Sequence, residues 1–345
     1  MSAWTSVSKL SIILVSGDET CDIYANGRNR IGVMISVAPT GKDGNPIEVD
    51  FSHLLNRMWL IDYVTESTLN WKGSSGWCYT DTTNAFTAAP GLSGERAEVS
   101  YGDDGTQLIT FYVYCAPGVS PKSIGVQVKT DSDDIIKSSL NGTYQEKIKL
   151  NPRTAVTYMK GDITWDYSHT STKYGGNTKY VTTDAWNYYL TLKSADNYFV
   201  TFSVSSYFSE DGYDGFFSSH ITPESNRKNF YGGYVWYREP HGSAYYVVGN
   251  DGRSEGEVVN FPDVNKWWDY AKIYDRTYPE RYLCFSWVQS ITGGDGWHIP
   301  NGPLNTSNVW FTPQIVAYDR FGNAGTFWVD GSDITGGLNI YDHRP

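Results

Sequence analysis

The second half of the chain is dense in aromatic side chains, the type that stacks on ligands. Nine of the 13 tryptophans and 20 of the 27 tyrosines lie beyond Pro152, for example in the cluster Trp165-Asp-Tyr167. Exposed rings stack on the apolar faces of sugars while nearby asparagine, aspartate and glycine groups bond the hydroxyls. The same rings also suit a protein interface, and a large aromatic core is a third interpretation. The candidate ligand-binding residues are Trp165, Tyr234, Trp236, Tyr237, His241, Trp267, Trp268, Trp297 and His298.

Catalytic chemistry has no recognisable signature in this sequence. It contains no GxSxG, HExxH, GxGxxG or GxxxxGK[ST] pattern, so we predict no catalytic residues and no enzyme activity. Glycoside hydrolysis stays as an alternative, because two carboxylates about 5 to 9 Å apart across a cleft would suffice for it. The carboxylates available for such a pair include Glu210, Asp214, Glu239, Asp269 and Asp295.

Metal and cofactor binding have equally little support, and we predict neither. Asp211 and Asp214 lie in a glycine-flexible acidic loop, residues 210–215, whose oxygens would suit Ca²⁺; an acidic hairpin turn is the alternative. Five of the six histidines lie in the second half, and none forms a His-x-His pair.

The four cysteines form no CxxC pair with metal-ligand spacing. We therefore expect buried free thiols. In an exported protein, Cys78 and Cys115 would be the first pair to test for a disulfide, since both lie in the first domain.

The elements that must position these side chains are β-strands. Apolar and β-branched residues alternate along the chain, for example from Ile31 to Val37 and from Tyr188 to Leu192, and glycine turns separate the runs. Such alternation is typical of antiparallel sheets with one buried face, so the predicted fold is all-β. The one convincing helical periodicity covers residues 261–275, where Asp263 could cap a short helix.

Length and composition predict two domains. A chain of 345 residues exceeds the usual size of one hydrophobic core. We predict a first β-sandwich over residues 1–150 and a larger, aromatic-rich sandwich over residues 155–345. The linker is predicted at residues 150–154, where Pro152 interrupts the strand pattern.

Two short segments resemble bacterial immunoglobulin-like domains of the invasin and adhesin type. Residues 33–37, followed by Lys42-Asp-Gly-Asn-Pro-Ile47, are similar to a strand, a Gly-Asn-Pro turn and the next strand of such domains. Asp319-Arg-Phe-Gly322-Asn323 resembles the Asp-x-x-Gly-Asn turn late in that fold, where aspartate bonds backbone amides and glycine tolerates positive φ. The resemblance implies an immunoglobulin-like first domain and an interaction module.

Charge and hydropathy limit the partners. A net charge of −11 gives no basic face for phosphates, so we expect no nucleic-acid partner. No apolar run reaches the ~18 residues of a membrane-spanning helix, and residues 12–15 are too short for a signal-peptide core. We expect no transmembrane segment, and a protein that is cytoplasmic or released without a classical signal peptide.

These observations lead to one hypothesis about function and two alternatives. The hypothesis is a non-enzymatic recognition protein, such as an adhesin, lectin or toxin-like protein, whose partner is a glycan or a cell-surface protein. The first alternative is a self-assembling structural protein, with a second copy of the chain as partner. The second is the glycoside hydrolase.

Overall fold

The computed structural model divides the chain into two compact units. The first unit is Met1–Val156 together with Asp319–Asn323, and the second is Thr157–Tyr318 together with Ala324–Pro345. The structure describes residues 4–90, 105–175, 180–205, 216–224, 227–236, 244–248, 258–260, 269–273, 283–293, 309–310, 312–332 and 337–345.

The first unit consists of two sheets in its described residues. One has the strand order β1-β3-β7-β6-β5, and the other has β2-β10-β8-β4 with β9 also paired to β8. One short helix, α1 (Phe51–Leu55), is capped by the Asp50 carboxylate. The strands are β1 (Ser6–Leu14), β2 (Thr20–Ala25), β3 (Ile31–Thr40), β4 (Met58–Asp62), β5 (Asn70–Trp71), β6 (Trp77–Thr80), β7 (Gln107–Cys115), β8 (Lys122–Lys129), β9 (Ile135–Ser138) and β10 (Ile148–Thr154).

The core of the first unit lies between these two sheets. Val33 and Phe111 of the first sheet and Leu60, Val126 and Leu150 of the second have no solvent exposure. Side chains from both sheets therefore face one shared apolar layer, which is a β-sandwich. The all-β sandwich fold predicted from the alternation is confirmed, whereas the immunoglobulin-like identity of this unit stays a prediction.

The turn Asp319–Asn323 is a buried polar feature of the first unit. One carboxylate oxygen of Asp319, Oδ1, accepts the backbone N–H groups of Phe321 and Asn323 at 2.9 and 2.8 Å, and Gly322 has a φ of 77°. The Asn323 side-chain oxygen accepts the Asn26 Nδ2 and Val156 N–H groups at 3.2 and 3.1 Å. The hydrogen bonding predicted for the Asp-x-x-Gly-Asn turn is confirmed.

The earlier segment that resembles the same family behaves differently. After the turn, Pro46 forms a single bridge with Thr40 and the chain then enters α1, so no strand follows as the resemblance implied. Asp43 in this loop is exposed and its Oδ1 accepts the Asn45 N–H at 3.2 Å.

The segment predicted as a linker, residues 150–154, is a strand instead: it contains the last five of the seven residues of β10. These five residues pair in parallel with β2, with Pro152 opposite Ile23. The pairing of β10 with β8 ends at Leu150, so the missing N–H of Pro152 removes no ladder bond on that side.

Cys21, Cys78 and Cys115 are buried free thiols. Cys78 lies opposite Tyr114 and Cys115 lies opposite Trp77 in the β6–β7 ladder, so the two thiols point to opposite faces of the sheet. A disulfide between them would require the backbone to rearrange. Burial raises the pKa of Cys21 and of Cys115 to about 12, and it also raises the pKa of Cys78.

The second unit contains three sheets in its described residues. Their strand orders are β12-β13-β20-β16-β15-β21, β11-β23-β22-β14 with β24 paired to β23, and β18-β17-β19. A 3₁₀ turn covers Lys160–Asp162. The strands are β11 (Thr157–Tyr158), β12 (Ile163–Gly175), β13 (Tyr180–Leu192), β14 (Phe199–Val204), β15 (Phe216–Glu224), β16 (Arg227–Trp236), β17 (Ala244–Val248), β18 (Val258–Asn260), β19 (Asp269–Ile273), β20 (Leu283–Gly293), β21 (Val309–Trp310), β22 (Gln314–Asp319), β23 (Ala324–Ser332) and β24 (Gly337–Tyr341).

The core of the second unit lies between the six-stranded sheet and the sheet that contains β22 and β23. Leu190, Phe285 and Trp287 come from the first of these, and Ile315 and Phe327 from the second; all five are fully buried. Two sheets again share one apolar layer, as a sandwich requires.

The helix predicted over residues 261–275 is wrong in its described part. Asp269–Ile273 is strand β19, which pairs antiparallel with β17 and places Tyr270 opposite Val247. Pairing with a neighbouring strand has overridden the helical spacing of the aromatic residues, as tertiary context often does.

The buried turn yields a stability prediction. Asp319→Ala leaves the backbone N–H groups of Phe321 and Asn323 without their acceptor, and we expect the free energy of unfolding to fall by roughly 2–4 kcal/mol. Urea denaturation followed by circular dichroism measures this change. Asp319→Asn retains an Oδ1 acceptor and should recover much of the loss. The matched control is Asp43→Ala in the exposed loop, which should leave the midpoint close to the wild type; equal losses at both sites would contradict the assignment.

The thiols yield a second prediction. The substitution Cys284→Ser leaves three cysteines in the chain, Cys21, Cys78 and Cys115. In this variant we expect these three thiols to react with Ellman's reagent at pH 8 at least tenfold more slowly in the native protein than in urea. The reason is that burial hides these thiols and keeps them protonated. All three should react once the protein is unfolded. A native protein that shows two fewer thiols after unfolding would instead contain a disulfide.

Candidate functional site

Strands β12 and β13 bring a row of aromatic rings to one face of the six-stranded sheet. The two strands pair antiparallel without a break from Ile163 to Gly175. Trp165, Tyr167 and His169 share one face of β12, because side chains alternate along a strand. In the register Tyr167 lies opposite Tyr188, and His169 lies opposite Trp186. We call these five residues the aromatic stripe.

Ring contacts hold the aromatic stripe together across the two strands. The Trp165 and Tyr188 rings are stacked, with centroids 5.2 Å apart and an interplanar angle of 24°. Tyr167 contacts the same Tyr188 ring at 5.4 Å. His169 is stacked on Trp186 at 4.9 Å and 21°. Cross-strand aromatic pairs of this kind stabilise a sheet and fix the orientation of their rings.

The aromatic stripe runs from the core into solvent. At its inner end Leu190, opposite Trp165, is fully buried, and the Trp165 Nε1–H donates to the Leu338 carbonyl oxygen at 3.3 Å. Burial also raises the pKa of the Tyr188 hydroxyl. Further along the same face Tyr167 is 57% exposed. Within the stripe, Trp165 and Tyr188 therefore form the supporting end, whereas Tyr167 presents its ring to solvent.

A hydrogen-bonding pair lies at the outer end of the stripe. His169 Nε2 is 3.0 Å from Asp184 Oδ1, and the two side chains are 43% and 24% exposed. Asp184 is on the same face of β13 as Trp186, two residues away. A ligand that stacks on the exposed rings would meet both polar side chains.

The opposite face of β13 is covered. Asn187 and Tyr189 point to that face and are buried, and β19 lies close to β12 and β13. Trp186 and Tyr188 thus stand on a strand whose far side is packed, which restricts their movement.

Of the predicted binding residues, Trp165 belongs to the aromatic stripe, where its half-buried ring supports the other rings. Tyr234 and Trp236 lie in strand β16, where they pair with Ser286 and Cys284 of β20. The other predicted residues lie outside the described part of the chain: Tyr237, His241, Trp267, Trp268, Trp297 and His298. The binding role of all nine stays a prediction.

The other candidate residues fall mostly outside the described ranges as well. This holds for the calcium candidates Asp211 and Asp214 and for the carboxylates Glu210, Glu239 and Asp295, whereas Asp269 begins β19. Among the side chains that the structure describes, no group of three or more His, Cys, Asp or Glu residues converges as a metal site would. The helices found in the same part of the chain are too short or too polar to cross a membrane.

The binding residues predicted from the sequence do not include Tyr167, His169, Asp184 or Trp186, although Tyr167 belongs to the cluster Trp165-Asp-Tyr167. Their signal is present in the sequence as two alternating runs, Trp165-x-Tyr167-x-His169 and Asp184-x-Trp186-x-Tyr188. Alternation places each run on one face, but only the strand pairing joins the two runs into one surface.

Comparison with known proteins gives limited information about this chain. It matches no protein-family profile and no curated protein. Among solved structures, it is similar to the C-terminal domain of the AgI/II polypeptide BspA of Streptococcus agalactiae, with a TM-score of 0.23 and 8% sequence identity. The match covers 92% of this chain and 97% of that one. A likeness at this level identifies neither a family nor a function.

The decrease in burial from Trp165 to Tyr167 predicts different roles for these two rings of the stripe. We expect Trp165→Ala to lower the free energy of unfolding by roughly 2–4 kcal/mol, because the indole packs on the core. Tyr167→Ala should lower it by under about 1 kcal/mol, because most of that ring is exposed. Urea denaturation of both variants measures the difference. A larger loss for Tyr167→Ala than for Trp165→Ala would contradict the gradient.

Proposed function

We propose that the protein is a non-enzymatic recognition protein that binds a carbohydrate on the aromatic stripe of its second unit. The observation that carries the proposal is an exposed tyrosine ring beside a hydrogen-bonded His–Asp pair on one fixed sheet face. A sugar offers an apolar ring face and a rim of hydroxyl groups, and these two features complement the ring and the polar pair.

The rigidity of the stripe supports binding rather than core packing alone. Tyr167 rests on Tyr188, which in turn stacks on Trp165, so the exposed ring is held before a ligand arrives. Fixed aromatic side chains lose little conformational entropy on binding, which is why they suit recognition sites.

The distribution of carboxylates favours binding over glycoside hydrolysis. Among the described strand positions on the stripe's face of β12, β13 and β20, Asp184 is the single acidic residue. Asp166 precedes Tyr167 and belongs to the other face of β12. Hydrolysis requires two carboxyl groups that face each other across the scissile bond, and these positions supply one.

A glycan array tests the proposal. We expect the labelled full chain to bind a defined set of glycans, and Tyr167→Ala or Trp186→Ala to weaken that binding about tenfold or more. The first substitution removes an exposed ring, and the second removes the ring on which His169 is stacked. The matched control is Phe51→Ala, which removes a ring that is 53% exposed in the first unit and should leave binding unchanged.

Two results would reject the proposed function. One is the absence of binding to any glycan on the array and to any cell surface. The other is wild-type binding by Tyr167→Ala and Trp186→Ala alike. Circular dichroism of each variant establishes that a loss of binding is not a loss of fold.

A further inference from the structure

We infer that the aromatic stripe takes a neutral oligosaccharide of at least two sugar rings, which lies along the direction of β12 and β13. This inference rests on the proposed function and adds to it the length, the charge and the orientation of the ligand.

The spacing of the exposed rings sets the minimum length. Tyr167 and His169 are successive positions on one face of β12, so strand geometry separates them by roughly 6.5–7 Å. Each position carries a ring that reaches solvent, Tyr167 at 57% exposure and His169, on Trp186, at 43%. One sugar ring is about as large as one aromatic ring, so it covers one of these positions and leaves the other uncovered. Two linked sugars are needed to cover both.

The strand pairing sets the direction. The register joins Tyr167 to Tyr188 and His169 to Trp186, so the two stacking positions follow one another along the strands and not across the sheet. The half-buried Trp165 and the fully buried Leu190 close the inner end of the row, whereas His169 at the outer end is 43% exposed. A chain of sugars therefore cannot extend inward past Trp165.

The polar groups make the two positions unequal. The His169–Asp184 pair, with 3.0 Å between Nε2 and Oδ1, lies at the outer position. Hydroxyl groups of the outer sugar can exchange hydrogen bonds with both side chains, whereas the sugar on Tyr167 is held mainly by stacking. The site thus distinguishes the two ends of its ligand.

Charge selects against acidic sugars. Asp184 places a carboxylate at the outer position, beside His169. The net charge of −11 adds a repulsive field for anions, so uronic, sialylated and sulfated glycans fit less well than neutral ones.

Calorimetric titration of the full chain with two series of sugars tests the inference. The first series is glucose, cellobiose and cellotetraose, and the second is galactose, lactose and sialyllactose. In at least one series we expect the neutral disaccharide to bind about tenfold or more tightly than its monosaccharide, because a second stacking contact forms. Sialyllactose should bind no more tightly than lactose.

Single substitutions test which of the two stacking positions accounts for the tighter binding of the disaccharide. Tyr167→Ala should abolish the difference between the disaccharide and the monosaccharide while leaving monosaccharide binding within about twofold. Asp184→Asn should weaken both and preserve their ratio, because it changes the outer position that both sugars use. Phe51→Ala should change none of these affinities.

The outcomes separate this inference from the proposed function. Equal affinities for monosaccharide and disaccharide, tighter binding of sialyllactose than of lactose, or no binding of any of the six sugars would overturn the inference. Each of these results leaves the proposed function standing as long as the array shows glycan binding that Tyr167→Ala weakens. An array without any such binding removes both.

Discussion

The antiparallel register between β12 and β13 is the constraint on which the candidate site depends. A shift of one residue would turn Trp165, Tyr167 and His169 to the opposite face, because the side-chain period of a strand is two. The register is held by burial at one end, where Leu190 and Leu192 belong to the core of the second unit. The exposed rings at the other end are therefore placed by hydrophobic packing that lies several residues away.

The aromatic residues of the second unit divide between support and exposure. Trp287 and Phe285 are fully buried, so part of the aromatic surplus is core, as one of the interpretations of the sequence held. Trp165 and Tyr188 sit at the boundary, and Tyr167 reaches solvent. Because the rings pass from buried to exposed along the stripe, the exposed rings rest on a rigid base, and the stripe does not add a large apolar patch to the surface.

The first unit is organised by satisfied polar groups as well as by its apolar core. Asp319 and Asn323 are almost completely buried, yet their side chains bond backbone and amide groups at 2.8 to 3.2 Å. Buried polar groups stabilise a fold only when they find such partners, and they specify one arrangement when they do. The short motif Asp-x-x-Gly-Asn therefore also depends on tertiary contacts. Asn26 and Val156, which are distant from it in sequence, donate hydrogen bonds to its asparagine.

Local pattern was sufficient for the class of fold and for several elements. Alternation located β3 and β13, and the Asp319 turn followed from the types of its residues, because both depend on neighbours in sequence. The tertiary structure decided the rest. In β7 both phases of the alternation contain apolar or aromatic residues, and only packing against the second sheet places Ile109, Phe111 and Val113 in the core. The segment Asp269–Ile273 became a strand because β17 pairs with it, and residues 150–154 extended β10 because β2 pairs with them. The aromatic stripe exists for the same reason: two runs about 20 residues apart become one surface only through strand pairing, which no local window of sequence contains.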